Sequence, residues 1–139
     1  MKFTRKASAN WQGSGKEGKG TLTTGSTILN STQYSFSSRF EEGIGTNPEE
    51  LVAAAHAGCF TMKLSFVLGE NGFTPTSLDT KAGITFEDGK ITNIHLDLTG
   101  NIPGIDDAKF QELALIAKNT CPISTLLNTD ITLTAKLIG

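Results

Sequence analysis

Cysteine is scarce in this 139-residue chain: only Cys59 and Cys121 occur, far apart in sequence. That spacing excludes a CxxC redox motif and the paired-ligand spacing of a zinc ribbon. Neither sign of charge dominates. The formal net charge is −2, so nothing points to nucleic acid or an anionic membrane surface as partner. Only four prolines accompany fifteen glycines, a balance that suggests tight turns rather than disorder. The first residues, MKFTRKASANW, lack the apolar run of a signal peptide, and a cytoplasmic location is expected. Structural disulfides are rare there. The Gly/Lys stretch QGSGKEGKG lacks the GxxxxGK[ST] spacing of a phosphate loop and reads as a hairpin connection. No repeat, low-complexity tail or composition break is present, so residues 1–139 read as one domain.

What the chain does have is one long apolar stretch, from Gly45 to Gly69. Asn47 suits an N-cap, Pro48 the first helical position, and Glu50 the third position of a capping box. Glu49 and Glu50 put negative charge in the first turn, where the helix dipole favours it. Beyond them hardly a polar face remains, which predicts a helix buried on all sides. Its length would span a small domain, at roughly 30 Å of rise, but Glu49, His56 and Lys63 make it too polar for a membrane span. Cys59 sits where small residues give way to large ones.

Around this helix the pattern is mostly strand. Phe3 to Trp11, Gly20 to Thr24 and Gln33 to Glu41 alternate and suggest an antiparallel meander, with Arg39 on its third strand between buried neighbours. Leu78 to Phe86 and Ile94 to Leu98 alternate around Asp88-Gly89, a strong hairpin signal. Asp106 caps a second helix whose stripe is Phe110, Leu113, Ala114 and Ala117. Cys121-Pro122 opens a short helical turn from Ile123 to Asn128, and Ile131 to Ile138 forms a last strand. The class is α+β, with antiparallel sheet packed on one apolar and one amphipathic helix. A helix apolar all round needs more cover than one such sheet provides, so a second copy is expected against Ala53, Ala54 and Ala57.

Several residues invite chemistry, each with a plainer alternative. Cys59 is either a small buried hydrophobe or a reactive thiol. Cys121 is either an inert cap or a thiol whose pKa a helix N-terminus lowers. Together they suggest a redox pair in which a sulfenic acid on one thiol condenses with the other. Arg39 is either a surface arginine or a fixed cation favouring a thiolate. His56 lies one turn before Cys59, but a protease-like pair lacks an orienting third group and an oxyanion hole. A zinc site from His56, Cys59, His95 and Cys121 would use every available ligand at no recurring spacing.

GTNPEELVAAAHAGCF, followed much later by CPIS, resembles the signature of the OsmC/Ohr family, on the OsmC side. ANWQG, GKGTLTT, LGENGFTPTSLDT and PGID extend the resemblance over nearly the whole chain. It implies a tightly intertwined homodimer, with antiparallel sheets wrapped around long central helices and active sites at the subunit interface. It also implies a thiol-dependent peroxidase for organic hydroperoxides that needs no metal or organic cofactor and is reset by a dithiol of lipoyl type. By position Cys59 would be the peroxidatic cysteine, Cys121 the resolving one, and Arg39 with Glu49 an assisting pair, Glu50 being the alternative partner for Arg39. Two features depart from the family pattern: a short Asp88-Gly89 hairpin, and Lys63 where a small apolar residue is expected. The competing class is a non-enzymatic dimeric stress or ligand-binding protein with inert core cysteines. An isomerase or hydrolase built around His56 is more distant.

Overall fold

Strands fill both ends of the chain and one helix runs through its middle. The computed structural model describes all residues, Met1–Gly139, and divides into two units, Met1–Leu51 and Val52–Gly139. The chain passes from one to the other inside a single helix, α2, at Pro48–Glu70.

In the first unit β1 (Ala7–Gln12), β2 (Lys19–Thr24) and β3 (Thr32–Tyr34) form an antiparallel meander in that order. The first strand starts at Ala7 rather than Phe3. Trp11 and Tyr34 meet across it, with ring centroids 5.4 Å apart. Gly20 lies under both rings, and a Cβ there would fall 2.5 Å from an atom of each, so only glycine fits.

The third strand is shorter than its alternation predicts. It stops at Tyr34, and Phe36–Phe40 forms a short helix, α1. Ser35 is the reason. Its hydroxyl accepts from the Ser38 amide, while the Ser38 hydroxyl accepts from the Ser35 amide, a capping box that period-2 counting does not register. Arg39 therefore stands in the last turn of a helix, not on a strand, and it and Phe40 are exposed. The N-cap expected for α2 is present: Asn47 Oδ1 accepts from the Glu50 amide at 2.8 Å. The Glu50 carboxylate does not complete the box and takes the Thr46 hydroxyl instead, at 2.7 Å.

The second unit contains the core. β4 (Ser77–Glu87) and β5 (Lys90–Asn101) pair antiparallel around Asp88-Gly89, both with positive φ, the twist-matched two-residue turn. The last strand, β6 (Asp130–Ile138), pairs with β5 in parallel, so the sheet is mixed rather than wholly antiparallel. The cause is the connection. Helices α3 (Asp107–Thr120) and α4 (Pro122–Leu126) intervene, and this crossover carries the chain from the end of β5 back to the end of the sheet where β5 began, with Asp130 beside Asn93. Asp106 caps α3 as expected, accepting from the Lys109 amide at 2.7 Å. Phe60, Leu64 and Leu68 of α2 pack with Leu96 and Leu98 of β5 and with the α3 stripe.

Helix α2 is not covered on all sides within one chain. His56, Phe60, Leu64, Val67 and Leu68 are buried, whereas Met62 and Phe66 are 65% and 63% exposed. By length and composition alone it is apolar enough to cross a membrane. Its inner face instead belongs to the core of the second unit.

Candidate active site

The two cysteines meet. Cys59 lies mid-way along α2, and Cys121 is both the C-cap of α3 and the N-cap of α4. The junction is fixed by backbone: the Cys121 amide donates to Ala117 O at 2.9 Å, and Cys121 O accepts from the Thr125 amide at 3.1 Å. This aims the Cys121 thiol at Cys59, with the sulfurs 2.8 Å apart and both free. Cys121 is fully buried and Cys59 partly so. The Cys121 thiol makes no capping bond to α4.

Within this chain the Cys59 thiol is pushed above its ordinary range. Burial is the main cause, followed by the hydrogen bond with Cys121. The Ile123 amide bonding to the sulfur and the Lys63 ammonium act the other way. Lys63, which breaks the expected apolar pattern, thus favours the thiolate. Of the large apolar residues that follow Cys59 on α2, Phe60 is wholly buried in the core and Met62 is exposed.

His56 is buried, and its Nε2 lies 2.7 Å from the Ser124 hydroxyl on α4. Its Nδ1 has no partner. Burial lowers its pKa, so the ring is neutral at physiological pH. Sequence reasoning weighed His56 as a partner for Cys59 and missed Ser124. The available signal was the shared spacing of three, 56 to 59 and 121 to 124. His95 does not join them; its ring nitrogens bond to Thr132 and Thr134 at 2.7 and 3.1 Å. No group of three or more His, Cys, Asp and Glu side chains clusters as a metal site.

Arg39 and Glu49 form the second pair, in the first unit. Arg39 Nε donates to Glu49 Oε1 at 2.7 Å, and the guanidinium lies 4.9 Å from the Phe40 ring centroid. Glu49 is the more buried, and its second oxygen has no hydrogen-bond partner. The choice between Glu49 and Glu50 is decided by position on the turn, since Glu50 is occupied by Thr46. Trp11, Tyr34, Phe36, Arg39 and Phe40 line a hollow of ≈ 100 Å³. The four residues read from sequence thus fall into two pairs, one in each unit.

The chain matches the family described as OsmC-like protein over residues 41–136, a stretch holding Glu49, Cys59 and Cys121. It is 47% identical over 141 residues to peroxiredoxin OsmC of Escherichia coli (strain K12), covering 99% of each chain. The chain belongs to the OsmC family. It is also 37% identical over 97 residues to an organic hydroperoxide resistance protein of Xanthomonas axonopodis pv. citri, covering 66% of this chain and 68% of that one. Among solved structures, the organic hydroperoxide resistance protein OhrB of Bacillus subtilis matches with a TM-score of 0.67 at 26% identity, covering 98% of both chains. An OsmC-like protein from Mycoplasma pneumoniae matches over the full length of both chains with a TM-score of 0.76; at 13% identity it speaks for the OsmC fold alone. The α+β class with a long helix and two small sheets is that fold.

Proposed function

We propose that the protein is a thiol-dependent peroxidase that reduces organic hydroperoxides to alcohols, using Cys59 and Cys121. The observation that carries this reading is the 2.8 Å approach of the two free sulfurs. Relatives named peroxiredoxin OsmC and organic hydroperoxide resistance protein support it. The Cys59 thiolate attacks the terminal oxygen of ROOH; the O–O bond breaks, ROH leaves, and Cys59 becomes a sulfenic acid. The Cys121 thiol then displaces that oxygen as water, forming a disulfide. An external dithiol of lipoyl type exchanges with the disulfide and restores both thiols. No cofactor or metal takes part in these steps.

The first step needs a thiolate, and burial in one chain opposes it. The reading assigns the missing cation to Arg39 of a second copy. Glu49 and Cys59 are ten positions apart on one unbroken helix, roughly 15 Å of rise, more than a glutamate side chain covers. Two such helices side by side and antiparallel would bring Glu49 of one copy, with its Arg39, toward Cys59 of the other. The uncovered α2 face, with Met62 and Phe66, suits that packing. The guanidinium fork suits a carboxylate on one edge and a thiolate on the other. A cytoplasmic homodimer responding to oxidative or osmotic stress fits this chemistry.

The test is consumption of cumene hydroperoxide against hydrogen peroxide, with dihydrolipoamide or thioredoxin as donor. Faster turnover of cumene hydroperoxide with dihydrolipoamide supports the reading. Absence of turnover with either peroxide and either donor contradicts it.

A further inference from the structure

Helix α4 carries Cys121 at its start, yet none of its own five residues is buried. Of its apolar side chains only Ile123, half-buried, packs against the core. Two α2 side chains three positions apart reach it: Cys59, whose sulfur meets the Cys121 thiol and the Ile123 amide, and His56, which meets Ser124. The first contact is consumed by the reaction, because Cys59 must acquire an oxygen before Cys121 can attack. The second is independent of the sulfurs. The His56 ring is fully buried and its only polar contact is the Ser124 hydroxyl at 2.7 Å, while Nδ1 is unpartnered. A buried ring with one bond made and one nitrogen unsatisfied is an unfavourable arrangement to keep for packing alone.

We propose that His56 and Ser124 are positioning residues, a clip that keeps Cys121 within reach of Cys59 between oxidation and disulfide closure. The proposal rests on the peroxidase reading. In that interval the Cys59 sulfenic acid has two fates. Attack by the Cys121 thiol forms the S–S bond and releases water. A second ROOH instead transfers another oxygen, giving sulfinic acid and ROH, with no disulfide. The first is intramolecular, so its rate depends on how well the two groups are held in attacking geometry. A clip that survives the oxidation step raises the share of the first fate.

The experiment uses the full chain, reduced and freed of reductant, as wild type, Ser124→Ala and Ser124→Thr. Each is exposed to a graded excess of cumene hydroperoxide, quenched with an alkylating agent and read by intact mass; thermal unfolding checks that each variant is folded. Expected is a sulfinic-to-disulfide ratio raised about three- to tenfold in Ser124→Ala, the factor that one ordinary hydrogen bond is worth. Alcohol release in the first turnover stays at the wild-type rate, and Ser124→Thr, which keeps a hydroxyl, restores the wild-type ratio. An unchanged ratio in Ser124→Ala overturns the clip while leaving the peroxidase reading in place. An equal rise in Ser124→Thr also overturns it, because packing and not the hydroxyl would then be responsible. A wild-type protein that forms neither disulfide nor sulfinic acid overturns both.

Discussion

The sulfurs of Cys59 and Cys121 stand 2.8 Å apart although 62 positions separate the residues in the chain. The rest of α2, the β4–β5 hairpin and α3 lie between them, and the Cys121 backbone is tied on both sides of the α3–α4 junction. The two thiols therefore behave as one unit, and removing either has its own consequence.

Removing the resolving thiol tests the division of labour. Cys121→Ser keeps Cys59 and therefore the first oxidation, but leaves the sulfenic acid without an attacking partner. One turnover of alcohol release should be followed by accumulation of sulfinic acid at Cys59, detected by intact mass. A Cys121→Ser protein that turns over repeatedly with a dithiol and stays unoxidised at Cys59 speaks against this role.

The long-range part of that unit was the part least visible in the sequence. Local patterns read well: the Asp88-Gly89 hairpin, the Asp106 cap and the apolar run of α2 all follow from spacing within a few residues. Elements set by competition between local bonds did not. The alternation of Tyr34, Phe36 and Phe40 looks like a strand, but reciprocal serine hydroxyls at 35 and 38 turn it into α1. The parallel pairing of β6 depends on the crossover before it, which no period within the strand encodes. Proximity of Cys59 and Cys121 came from a resemblance, not from their spacing. Ser124 gave no signal beyond sharing a three-residue offset with its neighbouring cysteine.

The cross-subunit role of Arg39 has a direct genetic test. Cys59→Ser and Arg39→Ala subunits should each be inactive or nearly so on their own, and are combined as a purified heterodimer. If Arg39 serves the partner's cysteine, one site carries both defects and the other neither, so about half of wild-type activity returns. Recovery near zero means that Arg39 serves its own chain. In Arg39→Ala alone, the pH midpoint of Cys59 alkylation should move above the ordinary thiol value of about 8.5, because burial and the Cys121 hydrogen bond then outweigh the Ile123 amide and Lys63.

Assembly follows from the uncovered face of α2. Met62 and Phe66 are large, apolar and exposed in one chain, and a second copy would cover them. Folding stability should therefore rise with protein concentration in denaturant titrations. A folded monomer at micromolar concentration in sedimentation experiments runs against this expectation.

His56 makes stability pH-dependent. Its pKa is lowered in the folded protein by burial, so the unfolded chain binds the proton more readily. The contribution of neutral His56 is therefore fully present above the unfolded value near ~6.5 and is lost as pH falls through the lower folded value. Urea midpoints should decline between neutral and mildly acidic pH in wild type, and decline less in His56→Gln. Equal pH slopes in the two proteins would remove His56 from the account.

The central claim is that Cys59 reduces a hydroperoxide and closes onto Cys121. The most direct measurement mixes fully reduced protein with one equivalent of cumene hydroperoxide, without reductant, and counts free thiols before peptide mapping. The account predicts loss of both thiols per chain, one cumyl alcohol released, and a single peptide pair joined through Cys59 and Cys121. Both thiols remaining free, with the hydroperoxide intact, would contradict it.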